Sequence, residues 1–109
     1  MSFGKNLEIS VLLDFYSALL NDKQRDFIDL YYNEDLSLAE IAEHESITRQ
    51  GVRDCIKRGE QILLDAENAL GLAEKTRRLE GIADRLSRNA DSLTADEIRA
   101  AAKEIFDTI

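Results

Sequence analysis

Proline is absent from this chain of 109 residues, and cysteine and histidine occur once each. The lone Cys55 has no partner for an internal disulfide. No apolar run approaches the roughly 20 residues that a membrane-spanning helix needs, and the N-terminus shows no apolar signal segment. The expectation is a cytoplasmic protein without membrane attachment. His44 has Glu40, Glu43 and Glu45 near it in sequence, but one histidine at the end of a short helix reads as solvated rather than as a metal ligand. Cys55 has no candidate base beside it and reads as a small packing residue. There is no glycine-rich phosphate loop, and the carboxylates do not pair into a cleft. Neither enzymatic activity, nor a cofactor, nor a small-molecule substrate is expected.

With 44% hydrophobic residues and no proline, the chain reads as one all-α domain over residues 1–109. Apolar residues recur at three- and four-residue spacing almost throughout, and no strand-like alternation is sustained. Leu7, Val11, Leu12, Phe15, Tyr16 and Leu19 predict a first helix over about 6–20. Asn21-Asp22 breaks it and caps a second helix over about 23–33, which presents Phe27, Ile28, Leu30 and one of Tyr31 and Tyr32 to the core. One tyrosine of that pair is then left to stack on a base of single-stranded RNA, or simply to lie at the surface.

Ser37 followed by Glu40 has the form of a capping box, so a short third helix starts at Leu38 and buries Leu38, Ile41 and Ala42. Thr48 is the N-cap of a fourth helix, with Ile47 plugging the turn. Two helices around a tight turn, over about 37–58, make a helix-turn-helix. The fourth helix runs about 20 residues to Gly71, a left-handed closing residue. A fifth carries Leu72, Leu79, Ile82, Ala83 and Leu86; a second capping box, Thr94 with Glu97, opens the last.

Charge sets the fourth helix apart. The net charge is -8, yet residues 46–59 hold four basic groups and one acidic, against three basic and ten acidic in residues 1–45. With Val52 at the centre of the inner side and about 100° per residue, Thr48, Cys55, Ile56 and Gly59 lie inward, and Gln50, Arg53, Asp54 and Lys57 lie outward. Arginine suits guanine, glutamine suits adenine, and Arg49, Lys57 and Arg58 suit phosphates at the edges. Asp54 opposes phosphate, although it matches the cytosine amino group. The candidate nucleic-acid-binding residues are therefore Arg49, Gln50, Arg53, Asp54, Lys57 and Arg58, on DNA or on RNA. A second basic cluster, Lys75, Arg77, Arg78, Arg85 and Arg88, is interleaved with acids and reads as a solvated face.

Ser-Leu-Ala-Glu-Ile-Ala-Glu at 37–43, Ile-Thr-Arg-Gln-Gly-Val-Arg-Asp at 47–54 and Ile-Lys-Arg at 56–58 resemble the promoter-reading fourth region of bacterial sigma factors. With Phe-Ile-Asp-Leu-Tyr-Tyr at 27–32, the chain over about 8–80 more closely resembles the small YlxM-like family of bacterial helix-turn-helix proteins. That resemblance implies an all-helical fold, a regulatory role and participation in the signal recognition particle pathway. It places the sigma-like recognition positions on Arg49, Gln50, Arg53, Asp54 and Lys57. Where many such turns have glycine, this chain has Ser46, so either a side chain is held in a strained conformation there or the turn differs.

Two functional classes follow. One is a helix-turn-helix regulator that binds nucleic acid; the other is an adaptor that docks, through its acidic surface, on proteins or RNA of the targeting machinery. The helices of 59–109 carry more apolar side chains than a small head covers: Leu63, Leu70, Leu79, Ile82, Leu86, Ile105 and Phe106. A homodimer through this half is expected, the alternative being that these helices fold back on their own head.

Overall fold

A computed structural model describes residues 7–109, and every regular element among them is helical. The elements are α1 (Leu7–Tyr16), a 3₁₀ turn (Ser17–Leu19), α2 (Asp22–Tyr32), α3 (Leu38–Glu45), α4 (Arg49–Leu70), α5 (Leu72–Arg88) and α6 (Ala95–Thr108). The expected start of the first helix at residue 6 lies outside the described residues, as does the side chain of Leu7. The chain divides into two compact units, one ending at Leu70 and one spanning Gly71–Ile109. Residues 59–70, grouped from sequence with the C-terminal packing helices, lie in the first unit.

Reciprocal caps start three of the helices. Asn21 Oδ1 accepts from Gln24 N at 2.8 Å while Asn21 N donates to Gln24 Oε1 at 3.0 Å. Ser37 and Glu40 repeat the exchange at 3.0 Å in both directions, and Thr94 and Glu97 do so for α6. Each box satisfies backbone N–H groups that the first helical turn leaves open, which pins where the helix begins.

In the first unit α4 is the shared partner, packing against α1, α2 and α3. Its buried stripe is Val52, Ile56, Gly59, Leu63 and Ala66, at spacings of three and four. Facing it are Ile9, Leu12, Leu13 and Tyr16 from α1, Phe27 and Ile28 from α2, and Ile41 and Ala42 from α3. Gly59 marks the tightest approach, since a Cβ there would stand 2.5 Å from Ile28 Cδ1 and 3.3 Å from Gln24 Cβ. Two long-range hydrogen bonds tie the rim: Tyr16 Oη donates to Glu67 Oε1 at 2.7 Å and Tyr32 Oη to Glu60 Oε1 at 2.6 Å.

Of the apolar residues that mark the first helix, Leu12 and Tyr16 face the core and others do not. Ile9, Leu12, Leu13 and Tyr16 are buried, whereas Val11, Phe15 and Leu19 are exposed. Both stripes of α1 are apolar, so periodicity cannot choose between them; the α4 surface and the Tyr16–Glu67 bond choose. The switch to 3₁₀ geometry after Tyr16 then changes the phase and buries Leu20 in place of Leu19.

In the second unit α5 and α6 pack on each other, with Ile82 and Ala101 buried and Arg85 paired to Glu104 at 3.0 Å. Leu79, Leu86 and Ile105 are half-buried there, while Phe106 is 79% exposed, Ile109 77% and Ile98 51%. Leu63 and Ile82, two residues of the apolar set expected to need a partner surface, are already buried.

Ser46 is left-handed, at φ 57° and ψ 40°, so the turn keeps its geometry and carries a side chain in it. An L-residue there costs roughly 1–2 kcal/mol relative to glycine, offset in part by the greater freedom glycine gives the unfolded chain. Ser46→Gly is therefore expected to stabilise the protein by about 1 kcal/mol. Thermal unfolding followed by circular dichroism should show a Tm several degrees higher; a lower Tm would mean that the serine side chain contributes more than its backbone costs.

Candidate nucleic-acid interface

The turn between α3 and α4 is closed by backbone and side chain together. Ile47 N donates to Ala42 O at 3.1 Å across the left-handed Ser46, and Thr48 Oγ1 accepts from Gly51 N at 2.9 Å as the cap of α4. Ile47 does not plug this turn: it is 39% exposed, beside Gly51. Val52 and Ile41, both fully buried, lock the two helices at their crossing instead.

Every sequence-predicted recognition residue, Arg49, Gln50, Arg53, Asp54, Lys57 and Arg58, is exposed on α4. They do not form one equivalent set. Arg49, Arg53 and Lys57 follow at four-residue spacing and so share one stripe of the helix, about 6 Å between successive Cβ atoms. A shallow concavity is lined by Arg49, Gln50 and Arg53 with Leu38 of α3. A second, of about 180 Å³, continues past Arg53 to Lys57 and Glu60 and is backed by Tyr31 and Tyr32. Asp54 and Arg58 occupy the adjacent side, where Arg58 Nε donates to the Asp54 carbonyl oxygen at 3.4 Å. Gln50 Nε2 donates to Asp54 Oδ1 at 2.8 Å, so its amide must release Asp54 before it reads a base edge.

The pairing of arginines separates this helix from the other described helices. Arg25, Arg77, Arg78, Arg85, Arg88 and Arg99 each have a carboxylate within 3.2 Å. Among the described residues, the arginines without such a partner are Arg49, Arg53 and Arg58, all of α4. A carboxylate beside a cation cancels much of its field toward a phosphate. Lys57 is intermediate, 3.7 Å from Glu60 Oε2.

A family model described as "Putative helix-turn-helix protein, YlxM / p13 like", of the family UPF0122, matches residues 3–105. The chain belongs to the UPF0122 family. It is 46% identical over 93 residues to a UPF0122 protein of Clostridium kluyveri, covering 85% of this chain and 84% of that one. A UPF0122 protein of Halalkalibacterium halodurans is 40% identical over 105 residues, covering 96% of each, and one of Acetivibrio thermocellus is 44% identical over 100 residues, covering 87% of this chain and 86% of that one. The family description agrees with the helix-turn-helix over α3 and α4.

Other chemistry-bearing side chains of this UPF0122 protein lie around that helix. His44 is exposed, and its Nδ1 sits 2.8 Å from Glu45 Oε2. No helix among the described residues is long and apolar enough to cross a membrane. Sequence reasoning missed Glu60 as part of the groove, because its connection to Tyr32 joins positions 28 residues apart. The only legible hint was that Glu60 stands one helical turn from Lys57.

Cys55 is half-buried on α4, and burial pushes its thiol pKa above the ordinary value, with Arg58 and Lys23 pulling weakly the other way. A raised pKa means that the neutral thiol is favoured in the fold; this contribution to stability is complete below the unfolded pKa and is lost as pH rises through the folded one. Iodoacetamide should accordingly alkylate Cys55 with a pH midpoint above that of the unfolded chain in guanidinium chloride, read by intact mass. A midpoint below it would mark an activated thiol.

Proposed function

We propose that this protein is a regulatory nucleic-acid-binding protein that lays α4 of its helix-turn-helix against DNA, with Arg49, Arg53 and Lys57 on one strand's phosphates and base edges and with Gln50, Asp54 and Arg58 beside them. One observation carries the reading: arginines elsewhere in the described chain are neutralised by carboxylates, and those of α4 are not. The remaining surface is strongly acidic, so binding is modest in affinity and falls steeply with salt. Such a distribution also orients the molecule, since only one face is attracted to a polyanion.

The test is fluorescence anisotropy on labelled duplexes across a salt series, with the parent and an Arg53→Ala/Lys57→Ala variant. Both side chains are exposed, so the fold is retained, which circular dichroism checks. Each lost phosphate contact lowers the slope of log K against log salt by about 1. The double variant should lose about 2 from that slope and bind at least tenfold more weakly. Equal binding by the two proteins would remove α4 from the interface.

A second reading is favoured by the net charge of -7 over residues 1–45: an adaptor of the signal recognition particle pathway that docks on a basic protein or on RNA, the pathway being implied by likeness to the YlxM group. Pull-down from cells with and without nuclease separates the two, since targeting proteins that survive nuclease belong to the adaptor alone. For either reading we infer a homodimer. On α6, Ile98, Ala102 and Phe106 fall within an arc of about 80° at 100° per residue, and all three are exposed, as is Ile109 just past the helix end. Sedimentation at micromolar concentration should give twice 12.3 kDa, and Phe106→Glu should give the monomer; a parent sedimenting as a monomer refutes the dimer.

A further inference from the structure

The groove beside α4 ends in a pocket whose chemistry differs from that of a phosphate-binding surface. Tyr31 and Tyr32 stand edge to face there, with ring centroids 5.1 Å apart and planes at 89°. Tyr32 is held by its hydroxyl, which donates to Glu60 Oε1, and Glu60 is itself only 13% exposed. Leu38 and Ile56 supply apolar wall, and Arg53 and Lys57 stand at the rim with their side chains in solvent. The volume, about 180 Å³, falls below the roughly 300–1,000 Å³ of sites for drug-sized ligands. One planar ring system fits; a whole dinucleotide does not.

The geometry points to a binding site for a single unpaired nucleobase with its phosphate. The base lies against the tyrosine pair, because aromatic faces stack on any base. Its phosphate meets Arg53, which has no carboxylate to give up among the described residues, and Lys57. Glu60 is an acceptor only. It therefore favours a base that brings an exocyclic amino group, namely adenine, cytosine or guanine, over uracil or thymine, whose single N3–H is flanked by two carbonyl oxygens that a carboxylate repels. Two sources share this chemistry: a base extruded from a strand held along α4, or a free nucleotide acting as an effector beside the recognition helix. The first source rests on the proposed docking of α4 on nucleic acid; the second does not.

The full chain is titrated with AMP, CMP and UMP, with the tyrosine ring resonances followed by NMR. In parallel, anisotropy compares a perfect duplex with the same duplex carrying one bulged adenine or one bulged thymine. Tyr31→Leu and Glu60→Gln serve as variants; glutamine keeps an oxygen for the Tyr32 hydroxyl and adds a donor that matches the carbonyls of uracil and thymine. The expected result is a bulged-adenine duplex bound at least tenfold tighter than the perfect one, with that ratio lost in Tyr31→Leu, while Glu60→Gln shifts preference toward bulged thymine. A merely structural Glu60 would not change base preference. If no duplex binds but AMP and CMP move the tyrosine resonances and UMP does not, the pocket takes a free nucleotide and duplex docking of α4 is the part that fails. If duplexes bind without regard to the bulge and mononucleotides leave the tyrosines unmoved, the pocket is overturned while α4 docking stands. Silence in both arms overturns the pocket as well.

Discussion

The close packing of α2 onto α4 at Gly59 is the constraint on which the first unit depends. With no Cβ at Gly59, Ile28 reaches the backbone of α4 and is completely buried. A side chain at this point would force well-packed atoms apart, and cores lose about 1–3 kcal/mol to such overpacking. Glycine in mid-helix costs roughly 1 kcal/mol in propensity, so its presence records that the approach of the two helices outweighs local helix preference. That approach sets Tyr32 within hydrogen-bond reach of Glu60, one turn from Lys57, and so shapes the groove beside the exposed face of α4.

The two sides of α4 are thereby given separate work. The inner stripe of Val52, Ile56, Gly59, Leu63 and Ala66 receives three other helices. The outer stripe is left to charge. Because the other described arginines have acids nearby, the first three turns of α4 are a local island of net positive charge on an acidic molecule. Membership of the UPF0122 family agrees with the motif, and the physical argument for its use lies in that island rather than in the family.

Much of this was readable in order along the chain. Capping boxes at Ser37–Glu40 and Thr94–Glu97, the Thr48 cap and the left-handed Gly71 all rest on contacts within a few residues, and the structure has each of them. The outward placement of Arg49, Gln50, Arg53, Asp54, Lys57 and Arg58 follows from helical geometry once Val52 is inside. Three features resisted. The buried side of α1 is not legible because that helix is apolar on both candidate sides; Ile47 was expected to plug the turn and is 39% exposed there; and the split of Gln50 toward Asp54 is a choice among rotamers that spacing does not reveal.

What the sequence determined by itself was therefore the all-helical order, the starts and stops of the helices and the cationic stripe of α4, because each is encoded by neighbours one turn apart. The tertiary structure alone decided which side of α1 is covered, that Arg85 pairs with Glu104, and that Tyr31, Tyr32 and Glu60 gather beside Arg53. These are contacts between residues far apart in the chain, selected by steric fit and by the geometry of charged groups in space, and no local pattern records either.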